Sequence, residues 1–200
     1  MVGLGNPGPQ YAASRHNIGW RVLDEVARGG FRPVRGAPAE VAAGPAWGGE
    51  SPILLAKPTT FMNNSGLAVA ALVRRYGTAP ADLLILLDDA DLPRGRLRLR
   101  AAGSAGGHRG LASVLAALGT EDVPRLRLGV GRPAGGRDMV EHVLEEFEAA
   151  EIEQVQAMAR QGGEAVALWA RRGIARAMSE VNAWRPSVSG EPSSDGGEEP

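Results

Sequence analysis

The chain of 200 residues contains no cysteine. That excludes a disulfide framework, a thiolate nucleophile and a cysteine-ligated metal. Aromatic residues make up only 4% of it, and Trp20, Trp47, Trp169 and Trp184 read as packing residues rather than base-stacking platforms. No apolar run approaches the ~20 residues that a membrane helix needs. The opening Met1-Val2-Gly3-Leu4-Gly5-Asn6-Pro7 has no basic stretch and no long apolar one, so it does not read as a signal peptide. A cytoplasmic protein without a membrane anchor is the expectation. What is present is a 44% hydrophobic content, enough for the core of one ordinary domain.

The formal net charge of −1 hides an uneven distribution. From Arg94 to Arg137 nine arginines stand against Glu121 and Asp122, a net charge of +7. From Asp138 to Trp184 nine acids outnumber four arginines, giving −5. Residues 186 to 200 carry four acids and no base. A basic segment of this density suits a polyanion whatever the overall charge; ordinary solvated surface is the plain alternative.

Hydrophobic patterning alternates short strands with helices. Strands are expected at Val2-Gly3-Leu4, residues 52 to 56, 83 to 87 and 126 to 130. Helices are expected over 18 to 27, 64 to 76, 111 to 118 and 148 to 172. The run Leu83 to Leu87 is continuously apolar, as in a strand buried on both faces. This pattern predicts a single α/β domain over 1 to 184, a twisted mixed sheet with helices packed around it. Residues 185 to 200 read as a disordered acidic tail.

Within the basic segment, Arg94-Gly95-Arg96-Leu97-Arg98-Leu99-Arg100 alternates with the period of a strand. Arg96, Arg98 and Arg100 would share one face while Leu97 and Leu99 point to the core. Like charges side by side repel, so phosphates would give the row a purpose; a charged edge strand is the plain alternative.

Gly3-Leu4-Gly5-Asn6-Pro7-Gly8 matches a dinucleotide-binding fingerprint letter for letter. Its context fails, because Pro7-Gly8-Pro9 forms a rigid loop where a helix should open. The acid that should end a second strand is also missing, for Asp24 and Glu25 fall in a helical pattern. The better reading is a sharp turn that presents Asn6 at the strand's C-terminal end, where ligands of open α/β sheets bind.

Four strings in order decide more. They are Gly3 to Gly8 followed by Tyr11 and Arg15-His16-Asn17; Lys57-Pro58-Thr59-Thr60-Phe61-Met62-Asn63-Asn64-Ser65-Gly66; Asp88-Asp89-Ala90-Asp91-Leu92-Pro93-Arg94-Gly95; and Gly103-Ser104-Ala105-Gly106-Gly107-His108-Arg109-Gly110-Leu111. Arg125-Leu126-Arg127-Leu128-Gly129-Val130-Gly131 follows them. In this order and spacing the chain resembles bacterial peptidyl-tRNA hydrolases, from Val2 to about Trp184.

The resemblance implies a monomeric α/β fold, peptidyl-tRNA as substrate, and an ester hydrolysis that uses no metal and no cofactor. It assigns His16 as the catalytic histidine and Asp88 as the acid that orients it. Asn6 and Asn63 match asparagines that hold the substrate near the scissile ester, and Tyr11 and Met62 match residues lining the site. Arg100 and Arg127, with Arg98 beside them, fall where the family has basic residues that clamp a tRNA phosphate. In the glycine loop the family pattern has asparagine where this chain has Arg109, which cannot accept a hydrogen bond. As a charged donor it suits the peptide carbonyls or the terminal phosphates. The family's acid string is also longer in its side chains than Asp89-Ala90, and its first strand starts earlier, so Val2-Gly3-Leu4 is expected to be a stub.

The chemistry fits these residue types. Ester hydrolysis needs an activated water and donors for an oxyanion. The unperturbed pKa of histidine lies near neutrality, which suits a general base. A carboxylate on its other nitrogen fixes the tautomer, and an asparagine amide donates without adding charge. Asp89 and Asp91 read as turn-forming acids; with Asp88 they could also imitate a metal site. His108 reads as loop-shaping or substrate-contacting, and His142 as a half-buried residue without a catalytic part. A non-catalytic RNA-binding relative, a nicotinamide-dependent oxidoreductase and a general esterase are the competing readings.

Overall fold

The computed structural model describes residues 1 to 185 except 48, 50 and 51. The expected tail therefore lies, from residue 186, outside the described residues. In chain order the elements are β1 Val2–Gly3, α1 Ile18–Val26, β2 Arg28–Pro33, β3 Ala39–Ala43, β4 Leu54–Pro58 and α2 Ser65–Tyr76. After them come β5 Ile85–Asp89, β6 Leu97–Arg100, α3 Arg109–Leu118, β7 Arg125–Gly129, α4 Met139–Leu144 and α5 Ile152–Ala183. The strands form one sheet in the order β2-β3-β4-β1-β5-β7-β6. Its centre, β4-β1-β5-β7, is parallel, and β2, β3 and β6 join antiparallel, so the sheet is mixed as expected. No helix among the described residues is long and apolar enough to cross a membrane.

Strand β5 explains both cores. Side chains alternate across a strand, so Leu84 and Leu86 pack under α1 and α5 with Ile18, Val22 and Val166. Ile85 and Leu87 pack under α2 and α3 with Val69, Leu111 and Val114. The same alternation sends the next two residues to opposite faces: Asp88 follows the Leu86 side and Asp89 the Leu87 side. The two adjacent acids therefore take different partners, although both line the same cleft.

Glycines set how closely α1 approaches the strands. A Cβ on Gly19 would lie 2.6 Å from the carbonyl oxygen of Leu86, and one on Gly3 would lie 2.6 Å from the carbonyl oxygen of Gly19. A Cβ on Gly5 would lie 2.7 Å from the Trp20 ring. The glycines of the apparent dinucleotide fingerprint therefore serve helix-to-strand contact. Gly8, with φ of 110°, makes the turn.

The structure departs from the sequence reading at three places. Strands β2 and β3 were not expected. Strand β2 is largely exposed and carries glycine, proline and a register shift between Arg28 and Arg32, so no apolar alternation marks it. The last helix does not stop at Arg172. Gly173, with φ of 73°, breaks it as a C-terminal glycine would, but the chain turns and resumes helix to Ala183, burying Ala177 and Val181. That second arm also closes the edge of the basic strand. The Asn182 side chain accepts from the Leu99 backbone nitrogen at 2.8 Å and donates to its oxygen at 3.0 Å, standing in for a missing strand. Arg96 is consequently drawn to the Asn182 carbonyl, away from the row expected with Arg98 and Arg100.

Candidate active site

Three consecutive residues organise the site. Arg15–Asn17 form a single 3-10 turn ahead of α1. With three residues per turn the side chains leave it in three directions. Arg15 runs back into the protein. His16 points to the end of β5, and Asn17 to the end of β1. The Asn17 amide clasps Asn6 through both its groups, accepting from the Asn6 nitrogen at 2.8 Å and donating to the Asn6 oxygen at 3.0 Å.

Asp88, 3% exposed, is the hub. Its Oδ1 lies 2.7 Å from His16 Nδ1 and 3.0 Å from His108 Nε2. Burial pushes the Asp88 carboxyl up, but the two imidazoles beside it pull harder and hold it well below the usual carboxylate range. An ionised carboxylate only accepts, so both ring nitrogens facing it carry hydrogen. The two histidines are then not equivalent. His108 Nδ1 accepts from the Leu111 backbone nitrogen at 3.1 Å, capping α3, so both its nitrogens are occupied. His16 donates through Nδ1 and keeps the lone pair of Nε2, for which the described residues supply no partner. One imidazole is structural and one is left as an acceptor over the cleft.

Asn6 is oriented as tightly. Its Oδ1 accepts from the Met62 backbone nitrogen at 2.7 Å, which settles the amide's direction and leaves Nδ2 as the free donor. Asn6 and His16 thus bring a donor and an acceptor to the ends of neighbouring strands. Tyr11 meets Phe61 edge to face, with ring centroids 6.4 Å apart. Phe61 is 55% exposed and forms part of the rim.

These groups line one cleft of about 520 Å³. Asn6, Tyr11, His16, Met62, Asn63, Asp88, Arg109 and Arg127 all line it. One wall is apolar, built by Met139, Val140, Val143 and Leu144 of α4. That helix is held by His142, whose Nε2 lies 3.0 Å from the Gly131 oxygen. Burial lowers the His142 pKa, so it serves there as a neutral donor. The wall escaped the sequence reading, although the spacing Val140, Val143, Leu144 is that of one helix face. Phe61 and the capping bond of His108 escaped it too; neither has a local sequence signal.

The basic residues divide. On the antiparallel pair β6–β7, Arg98 sits opposite Arg127 and Arg100 opposite Arg125, so all four share a face. Arg125 is buried and donates to the carbonyls of Val123, Gly103 and Glu121. Arg127 reaches the cleft and pairs with Asp89 at 2.8 Å. Arg98 and Arg100 are exposed and lie outside the cleft. The acids Asp88, Asp89 and Asp91 are not gathered: Asp89 faces Arg127, and Asp91 pairs with Arg132 at 2.7 Å.

One cluster has metal-like spacing. Ligand atoms of His16, Asp88 and His108 lie within 4.8 Å of one another. A metal there would need the lone pairs of His16 Nδ1 and His108 Nε2. Both are committed as N–H donors to Asp88, and the Leu111 bond blocks the other tautomer of His108. The donor set fits a proton relay better than a cation.

A family model described as peptidyl-tRNA hydrolase matches residues 1 to 189. The chain belongs to the peptidyl-tRNA hydrolase family. It is 49% identical over 184 residues to the peptidyl-tRNA hydrolase of Symbiobacterium thermophilum, covering 91% of this chain and 97% of that relative. It is 47% identical over 186 residues to that of Desulfitobacterium hafniense, covering 91% and 98%. The crystal structure of the Acinetobacter baumannii peptidyl-tRNA hydrolase superposes with a TM-score of 0.83 at 31% identity, covering 93% of this chain and 95% of that one. Both the family and its α/β fold thus agree with the resemblance seen in the four strings.

Proposed function

We propose that this chain hydrolyses the ester between a peptide, or an N-blocked amino acid, and the terminal ribose of tRNA, with His16 Nε2 as the general base. The observation that carries the reading is the asymmetry of the two histidines on Asp88, which leaves one imidazole lone pair over the cleft. Nε2 takes a proton from water as its oxygen attacks the ester carbonyl carbon. The oxyanion that forms receives a hydrogen bond from Asn6 Nδ2, with Asn63 beside it; one such donor contributes roughly 2.7–4 kcal/mol. The intermediate then expels the ribose oxygen, which regains the proton from the His16 imidazolium. The products are a carboxylic acid, ionised at neutral pH, and tRNA with its terminal hydroxyl restored. Asp88 supports the imidazolium. No step calls for a metal or a cofactor.

The remaining assignments concern grip. Tyr11, Met62 and Phe61 contact the peptide and terminal nucleoside, and the α4 wall takes apolar peptide. Arg109, at the first turn of α3, donates to peptide carbonyls or terminal phosphates. Arg98, Arg100 and Arg127 hold backbone phosphates, which position the RNA without reading its sequence. The protein acts as a monomer in the cytoplasm, where its substrate is made.

Phosphate contacts release counterions, so this part of the reading has a salt signature. The doubly substituted Arg98→Gln, Arg100→Gln protein should show a raised KM for N-acetyl-aminoacyl-tRNA and a kcat within about twofold of wild type. The slope of log affinity against log salt should fall by about 1 per arginine removed. An unchanged slope would remove these arginines from the interface. Simple N-acetyl amino acid ethyl esters should be poor substrates; rapid, salt-insensitive cleavage of them would make the protein a general esterase.

A further inference from the structure

Arg15 is spent on something other than catalysis or surface. It is 2% exposed, and its guanidinium lies within a buried ion network. Its Nη2 contacts Glu151 at 2.9 Å and its Nη1 donates to the His142 oxygen at 3.3 Å. Glu145 lies 3.7 Å away and the Phe147 ring centroid 5.3 Å away. Glu151, itself 6% exposed, also pairs with Arg94 and accepts from the Glu148 nitrogen at 2.7 Å. The Arg15 backbone nitrogen donates to the Glu145 oxygen at 3.0 Å, and Ser14 bridges to Glu146. The Arg15 side chain thereby ties the turn that bears His16 to α4 and the start of α5, and Glu151 extends the network to Arg94 in the loop before β6.

Burying such charges gains little stability over apolar packing of the same volume. The network's geometry accounts for it better. Arg15 and His16 are adjacent residues of one 3-10 turn, so anchoring the Arg15 side chain and backbone nitrogen fixes the backbone from which His16 projects. The guanidinium is a rigid fork that holds two acceptors at once. We infer that Arg15 is a positioning residue: it clamps the Arg15–Asn17 turn against α4 and α5 so that His16 presents Nδ1 to Asp88 and Nε2 to the cleft. The inference rests on the reading of His16 as the base. Arg15 itself touches neither substrate nor reacting atoms.

The test separates positioning from simple stability. Arg15→Lys keeps the charge beside Glu151, but its single ammonium cannot reproduce the fork. Arg15→Met removes the charge altogether, and Glu151→Gln weakens the partner. A reacting group displaced by about 1 Å costs roughly a hundredfold. The folded Arg15→Met protein should therefore lose about a hundredfold in kcat, and Arg15→Lys about tenfold. Glu151→Gln should lose severalfold, and KM should stay within about threefold throughout. The downfield proton resonance of the His16–Asp88 bond should broaden or vanish in proportion. Where Arg15→Met does not fold, Arg15→Lys and Glu151→Gln decide. A kcat within twofold of wild type in both, or a loss lodged wholly in KM, overturns the inference. His16→Ala is measured alongside. If it keeps wild-type kcat, the general-base reading fails and the inference falls with it. If it is inactive while Arg15→Lys is fully active, only the inference falls.

Discussion

Asp88→Asn should lower kcat by about ten-thousandfold while the protein stays folded, by the logic of a histidine left in the wrong tautomer. Two N–H donors converge on the same Asp88 oxygen, at 2.7 and 3.0 Å. An amide in its place has one accepting end and one donating end. If the amide nitrogen faces His16, the imidazole must offer its lone pair at Nδ1 and carry hydrogen at Nε2, so the base is lost. If the amide oxygen faces it, the geometry survives but the charge that steadies the imidazolium is gone. Single-turnover release of N-acetyl amino acid from tRNA measures the loss, and circular dichroism checks the fold. A drop of less than tenfold would remove Asp88 from the mechanism. The pH behaviour follows from the same site. Asp88 has its pKa depressed in the fold, so its contribution to stability is complete above the unfolded carboxyl value of roughly 4. That contribution disappears only as pH falls through the lower folded value. Between pH 5 and 8 Asp88 stays ionised, and a change of rate in that range has another origin.

His16→Ala should lose about a thousandfold or more in kcat, the span a general base contributes. His108 cannot take over. Its Nδ1 is held by Leu111 and its Nε2 by Asp88, so it has no lone pair to offer without uncapping α3. KM and tRNA affinity should move by less than about twofold, because the proposed phosphate contacts fall on arginines elsewhere. Filter binding on uncleaved N-acetyl-aminoacyl-tRNA, run beside the rate assay, checks this. A variant that loses binding together with rate would place His16 in substrate recognition instead.

Much of this site could be read from the chain because its parts lie in short local strings. The 3-10 turn puts Arg15, His16 and Asn17 within three letters, and the apolar run ahead of Asp88 announces the end of a buried strand. The alternation of Leu97 and Leu99 with Arg98 and Arg100 survives unchanged as buried and exposed positions. What escaped reading depends on distant partners. Arg96 sits in the same alternation but is captured by Asn182, 86 residues away in sequence. His108 gains its meaning only where α3 begins over β5. Strand β2 has too few apolar residues to announce itself and β3 is mostly alanine, a poor strand former; β3 pairs with the edge of β4, and β2 pairs with β3. Gly173 looks like the end of a helix, and only the core face of Ala177 and Val181 makes the chain resume. Arg15 is the sharpest case: its sequence neighbours mark the turn proposed to carry the base, while its partners lie 127 and 136 residues away.

The most direct test of the account is one reaction: N-acetyl-aminoacyl-tRNA and the wild-type protein in H2(18)O, quenched during the first turnover. 18O should appear in the carboxylate of the released N-acetyl amino acid, with none in the tRNA and no acylated protein by mass spectrometry. Accumulation of an acyl-protein, or tight tRNA binding with the ester intact, would contradict direct attack by a water that His16 activates.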